Sequence, residues 1–420
     1  MIEVVQAFDC ARIAELHSDD EATLEKKLET ARARFKDRKA WLEPHQRIAV
    51  LRRLADLVAQ KRETFATLIA REGGKPYSDA LVETDRAIDG IGTAADLLRT
   101  WAGVEIPMGL TRASENRRAW TIKEPIGVVA AISAFNHPLN LIVHQVAPAI
   151  ATGCPVVVKP AQTTPLCCQQ LTTLVQEAGM PDGWVQTFLP EKRELSEKFA
   201  TDPRIAFLSF IGSASVGWHL RSIIAPGTRC ALEHGGAAPV IVDRSADLDA
   251  IIEPIAKGGY YHAGQVCVSV QRIYVHADLE KAFVERLAAR VERLSVGDPL
   301  LPETEVGPLI APREADRVEE WIAEAVAGGA RQIGGGRLSE TTLKPSILVA
   351  PSQDAKVSTL EIFGPVTCVY SYGDIDEAIT MANALPVAFQ ASIFTRDLTV
   401  ALDAAERLDA STAMVNDHSA

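Results

Sequence analysis

The feature that most limits what this chain can fold into is a regular alternation of short β-branched runs with amphipathic stretches of helical length. Residues 127–132 (GVVAAI), 155–159 (PVVVK), 185–189 and 205–209 each read as a buried strand. Between and after them, residues 138–151, 165–178 and 215–224 carry apolar side chains at helical spacing. Strands separated by whole helices cannot pair as tight hairpins. They close into parallel βαβ units, and so into a doubly wound, Rossmann-like α/β sheet. Sheets of this kind bind ligands beyond the carboxyl ends of their strands.

A second α/β unit follows, through residues 239–242, 272–276, 281–294 and 391–395. The junction falls at His234-Gly235-Gly236, where side-chain bulk disappears. Upstream, residues 21–71 are helical, with Leu24, Leu28, Ala31 and Phe35 on one stripe and Ile48, Leu51, Leu54, Leu57 and Val58 on the next. Residues 117–123 interrupt the pattern and read as an excursion. A chain of 420 residues is too long for one core. The expected division is a first α/β domain over 1–110 and 126–233, an excursion over 111–125, and a second α/β domain over 234–416.

Charge and cysteine usage narrow the function. Lys and Arg number 43 against 55 Asp and Glu, a net charge of -12, which argues against nucleic acid or an anionic membrane as partner. No apolar run reaches membrane-spanning length, and the N-terminus lacks a secretory pattern. The seven cysteines are scattered without metal-ligand spacing, so no metal is expected. Reduced thiols in a cytoplasmic enzyme fit them best, with the adjacent Cys167 and Cys168 packing on a helix.

Several loops carry chemistry. Cys267 lies in Tyr261-His262-Ala263-Gly264-Gln265-Val266-Cys267, Glu233 in Leu232-Glu233-His234-Gly235-Gly236, and Asn136 in Phe135-Asn136-His137-Pro138. A thiolate can add to a carbonyl carbon, an amide can steady the resulting oxyanion, and a carboxylate can activate water. Gly212, Ser213 and Val216 form a strand-to-helix turn whose free N–H groups suit a phosphate. Lys159 ends a buried strand within reach of such a ligand. Taken singly, each has a plainer reading: a buried small cysteine, a turn-forming Asn, a strand-end Lys reaching solvent.

In this order, however, these loops and Glu361-Ile362-Phe363-Gly364-Pro365 resemble the aldehyde dehydrogenase superfamily, over about Leu24 to Asn416. The resemblance implies oxidation of an aldehyde to the acid through a thioester on Cys267, with Asn136 and the Cys267 N–H holding the oxyanion and Glu233 as general base. It assigns Lys159 and Glu361 to the riboses of NAD or NADP, Gly212, Ser213 and Val216 to the phosphates, and Phe363 to the nicotinamide. Many NAD-dependent members carry Glu at the position of Gln162. Its absence leads us to expect that NADP is tolerated or preferred.

The resemblance places Phe135, His137, Leu141, His144, Val266 and Val268 around the aldehyde. With His137, Leu141 and His144 at i, i+4 and i+7, two histidines would face the substrate, which suggests a small polar or anionic aldehyde. The resemblance makes the first domain dinucleotide-binding, the second catalytic and the 111–125 excursion a bridging hairpin. The family pattern continues beyond Asn416, so residues 417–420 would open a C-terminal segment that, with the hairpin, builds a homodimer or homotetramer. Two other functions stay open. Relatives that transfer the acyl group to coenzyme A, or run reductively, generally lack a carboxylate at the position of Glu233. A dinucleotide-binding protein without turnover is the third.

Overall fold

The computed structural model describes residues 1–386 and 388–420. Its first sheet is parallel and five-stranded, in the order Val185–Thr187, Val156–Lys159, Val128–Ile132, Ile205–Ile211, Arg229–Glu233. Side chains alternate across it with period two. Val129, Ala131, Val156 and Val158 pack under helices Pro44–Gln60, Arg62–Gly73, Tyr77–Thr100, Asn140–Thr152 and Leu166–Glu177. Val128, Ala130, Ile132 and Val157 face helices Glu21–Lys36, Arg193–Thr201 and Ala214–Ile223. Both faces are covered, which is why the strands read as near-continuous apolar runs. The chain enters at the central strand Val128–Ile132 and winds first one way, then the other, so the direction of winding reverses beside that strand.

The second sheet has seven strands in the order Arg331–Gly334, Ser346–Val349, Val366–Tyr372, Val270–His276, Ala238–Val242, Gln390–Phe394, Thr412–Val415. All neighbours are parallel except the first pair. Its core runs from Val240 and Ile241 to Ile273, Val369 and Ile393. Three chemistry-bearing loops, 234–237, 261–269 and 361–365, each lie just ahead of one of its strands. The amino ends of this sheet therefore meet the carboxyl ends of the first.

Three local features differ from the sequence reading. The helix placed at 138–151 begins at Asn140, because Pro138 has no N–H and the Glu83 carboxylate takes the N–H groups of Leu139 and Asn140. The excursion placed at 111–125 pairs Glu105–Ile106 with Ala119–Trp120 and so starts earlier. There Gly103 lies backbone to backbone on Thr121, with a Cβ at that position 1.7 Å from the Thr121 carbonyl oxygen. An N-terminal hairpin, Ile2–Val5 with Arg12–Leu16, was not legible from the pattern. Among the described residues no helix is long and apolar enough to cross a membrane, and no cluster of metal-ligating side chains occurs.

Candidate active site

Where the two sheets face each other, a continuous cavity of about 1120 Å³ opens. Every residue singled out from the sequence as catalytic, cofactor-binding or substrate-facing contributes to its wall. Asn136 leaves the carboxyl end of the central strand and is buried, 4 % exposed. Its Nδ2 donates to the Gln265 carbonyl at 3.0 Å, joining the two sheets two residues before Cys267. Gln265 is pinned in turn: its amide donates to Pro308 O at 3.1 Å and its Oε1 accepts from Ile310 N at 2.9 Å.

The backbone ahead of the thiol is held in an uncommon shape. His262, Ala263 and Gly264 have φ of 48°, 54° and 71°, three successive left-handed residues. Such conformations persist only where surrounding contacts over-determine them. Gly264 allows the loop to touch the Glu361–Pro365 turn, since a Cβ there would lie 2.1 Å from Gly364 O. Burial pushes the Cys267 thiol up to about 12, helped by the carboxylates of Glu233 and Glu361. The structure thus stabilises the thiol rather than the thiolate that the sequence reading called for.

Glu233 closes strand Arg229–Glu233, and its carbonyl accepts from Gly212 N at 3.1 Å. Gly212 is itself crowded by the Phe210 ring, 2.9 Å from where a Cβ would sit. Ser213 and Val216 continue the turn into helix Ala214–Ile223. The Lys159 amine, at the end of strand Val156–Lys159 on the other side of the central strand, is held down to about 8 by burial. Gln162 spends its amide group on Pro190 O at 2.6 Å and Glu191 O at 3.1 Å, leaving its own carbonyl oxygen for the cavity. Burial pushes Glu361 up to about 7, and its Oε1 is buried without a partner. Phe363 meets Phe135 edge to face, with ring centroids 5.7 Å apart.

Neither cavity histidine is favoured as a cation. His137 precedes the helix, is 8 % exposed, and sits 3.4 Å from the Tyr261 hydroxyl through Nε2. Burial, then the neighbouring Lys75 charge, hold it well below the ordinary histidine range. His144, exposed at the cavity wall, is lowered too, by partial desolvation that outweighs the pull of Glu233. Both are neutral at physiological pH. The cation the sequence reading missed is Arg86, on helix Tyr77–Thr100. Of the acids around it on that helix, Asp79 pairs with Lys257, Glu83 with Lys75 and Asp85 with Arg62, while Asp89 makes no ion pair with Arg86. Arg86 has no ionic partner among the described residues, and its charge reaches His137, His144 and Cys267. Nothing local marks it, because a lone Arg on an amphipathic helix reads as a solvated face. Tyr261 and residues 417–420 also line the cavity unforeseen, with Ser419 Oγ donating to Val268 O at 2.7 Å.

Comparison with known proteins places this arrangement. The sequence pattern of the aldehyde dehydrogenase family matches residues 1–420. A 3-sulfolactaldehyde dehydrogenase of Priestia aryabhattai is 40% identical over 377 residues, 90% of this chain and 79% of the relative. The crystal structure of aldehyde dehydrogenase 21 from Physcomitrella patens, in complex with the reaction product succinate, superposes with a TM-score of 0.94 at 33% identity, covering 100% of this chain and 87% of that one. A glyceraldehyde-3-phosphate dehydrogenase from Methanocaldococcus jannaschii complexed with NADP gives a TM-score of 0.95 at 30% identity, covering 100% and 91%. With its fold, cavity and whole-length match in agreement, the chain belongs to the aldehyde dehydrogenase family, NAD(P)-dependent enzymes that oxidise aldehydes.

Proposed function

We propose that this protein oxidises a small anionic aldehyde to the free acid through a thioester on Cys267, with Asn136 steadying the oxyanion and Glu233 activating water. The observation that carries the reading is one cavity walled by a thiol, a carboxamide and a carboxylate from three remote segments. The Cys267 sulfur bonds to the aldehyde carbon as its proton passes by way of Glu233, the carboxylate acting on it most strongly, to solvent, which leaves Glu233 ionised for the later step. Asn136 has two amide hydrogens and spends one on Gln265 O, which leaves the second for the oxyanion. Once the carbon is oxidised to the thioester, Glu233 takes a proton from the water that attacks it, and that proton returns to the departing Cys267 sulfur as the acid is released.

The cavity also suits the dinucleotide. The unpartnered buried Glu361 Oε1 can accept from a ribose hydroxyl, Lys159 and Gln162 flank the other ribose, and the crowded Gly212 turn, with Ser213 and Val216, can face the phosphates. Bound there, NAD or NADP supplies the hydride acceptor. Phe363 and Phe135 would wall the reacting end.

For the substrate, the unpaired Arg86 guanidinium supports an anion, with Leu141, Val266 and Val268 as apolar walls and neutral His137 and His144 as hydrogen-bonding groups. Among relatives, the 3-sulfolactaldehyde dehydrogenase and an aspartate-semialdehyde dehydrogenase of Pseudomonas canavaninivorans, 32% identical over 418 residues, support an anionic substrate, whereas a betaine aldehyde dehydrogenase of Cereibacter sphaeroides, 33% identical over 423 residues, does not. Glu233 in the cavity favours hydrolysis over acyl transfer. We place the division between cofactor and catalytic domains at residues 233–234. Exposed Leu110, Trp120 and Ile122 around the hairpin support a homodimer or homotetramer, and seven free cysteines support a reducing, cytoplasmic setting.

The test is an aldehyde panel followed by NAD(P)H absorbance, with and without coenzyme A. Succinate semialdehyde should be turned over without coenzyme A, and Cys267→Ala should be silent while still binding cofactor. Full activity in Cys267→Ala would sink the mechanism, and a coenzyme A requirement would move the protein to the acyl-transferring branch.

A further inference from the structure

Below the cavity, and not lining it, Lys75 and Glu83 form a buried ion pair with both side chains fully shielded from solvent. Burying two charges is costly, so such a pair is weak evidence of stabilisation and invites the question of what else it does. The second oxygen of Glu83 accepts from Leu139 N at 3.0 Å and Asn140 N at 3.1 Å, the first N–H groups of helix Asn140–Thr152. A carboxylate is well placed there, at the positive end of the helix dipole. Asn136 lies three residues ahead of Leu139, in the turn whose path those two hydrogen bonds fix. From that turn its amide crosses to Gln265 O. Lys75 extends the other way, its Nζ 5.8 Å from the Tyr261 ring centroid, under the strained 262–264 backbone that leads to Cys267.

We propose that Glu83 is a positioning residue for aldehyde addition: by clamping Leu139 and Asn140 it sets the Asn136 carboxamide against the Cys267 loop, and Lys75 neutralises the charge this clamp requires. The inference rests on the oxyanion role given above to Asn136. It does not require either residue to touch substrate.

The experiment compares two double variants of the full chain that both delete the ion pair. Lys75→Met with Glu83→Gln keeps a neutral acceptor for the clamped N–H groups, whereas Lys75→Met with Glu83→Leu removes it. For succinate semialdehyde, the Gln protein should keep kcat within about threefold. The Leu protein should lose about a hundredfold in kcat, as expected for a misplacement near 1 Å, with cofactor Kd unchanged. Alkylation of Cys267 by iodoacetamide forms no oxyanion, so its rate should be equal in the two proteins. Equal kcat in both, or a fall in alkylation that tracks the fall in kcat, would overturn the proposal in favour of a purely structural clamp. If the Leu protein does not fold, Glu83→Asp alone replaces it, since it keeps the charge and withdraws the acceptor by one methylene, and the same two rates decide. Asn136→Ala separates the two levels of inference. Should it leave kcat intact, the oxyanion role itself fails; should it lower kcat while the clamp variants do not, the proposal fails and the oxyanion role stands.

Discussion

The protonation of Cys267 offers a prediction with a large margin. At pH 8 a thiol at its ordinary value of 9.0 is about one-tenth thiolate, whereas one pushed up to about 12 is about one part in ten thousand. Iodoacetamide, which reacts with the thiolate, should therefore label Cys267 about 30- to 60-fold more slowly at pH 8 than an unperturbed thiol of equal access, the thousandfold deficit in thiolate being partly offset by the greater nucleophilicity of a more basic sulfur. The rate should rise about tenfold per pH unit with no plateau below pH 10. Burial is the leading cause and Glu233 the next, so Glu233→Gln should speed labelling by about three- to tenfold at fixed pH by removing a negative charge. Peptide mass spectrometry of the Cys267 segment over timed quenches gives both numbers. A plateau below pH 9, or slower labelling in Glu233→Gln, would show that the cavity favours the thiolate and that the reasoning from burial and charge is wrong.

Other expectations concern substrate and cofactor. Arg86→Leu should raise KM for an anionic aldehyde by about 10- to 100-fold, the worth of a charge-assisted hydrogen bond, and leave a neutral aldehyde within about threefold; equal effects on both would remove Arg86 as the anion's partner. His144→Leu, which deletes a neutral ring, should shift the ratio of the two KM values by less than about threefold. Since Lys159 is charged below about 8 and neutral above it, cofactor Kd measured by fluorescence should weaken as pH rises through that value, and Lys159→Met should flatten the profile. Gln162→Glu should cut kcat/KM for NADP about tenfold by facing the 2′-phosphate with a carboxylate, and NAD far less. A matched loss with both cofactors would detach Gln162 from the choice.

How much of this was legible beforehand depended on whether the signal was local. The strands around Val128–Ile132 and Val156–Lys159 could be read because β-branched runs between helices admit few topologies. The loops of Asn136, Glu233, Cys267 and Glu361 were found by their resemblance to a family, and they do line one cavity. Spacing put His137 and His144 on one side and both line the cavity, but ionisation is not written in spacing. It follows from the burial of His137 and from Lys75, 62 positions earlier in sequence. Arg86 and Glu83 lay beyond reach for the same reason, since their neighbours come from other segments. The N-terminal hairpin was lost because Ile2–Val5 and Arg12–Leu16 mix charged with apolar residues over too few alternations to count, unlike the continuous apolar runs of the sheet strands.

The contact between Gly264 and the Gly364 carbonyl sets a rule for anyone redesigning this enzyme. Two turns that meet main chain to main chain cannot be altered one at a time, because a single methyl on the first displaces the second. Libraries aimed at new aldehydes can vary positions 86, 141 and 144, but 264 and 364 form a latch. A broken latch would shift the sulfur and the nucleotide's resting place together, so such variants would lose cofactor affinity and thiol reactivity in one step.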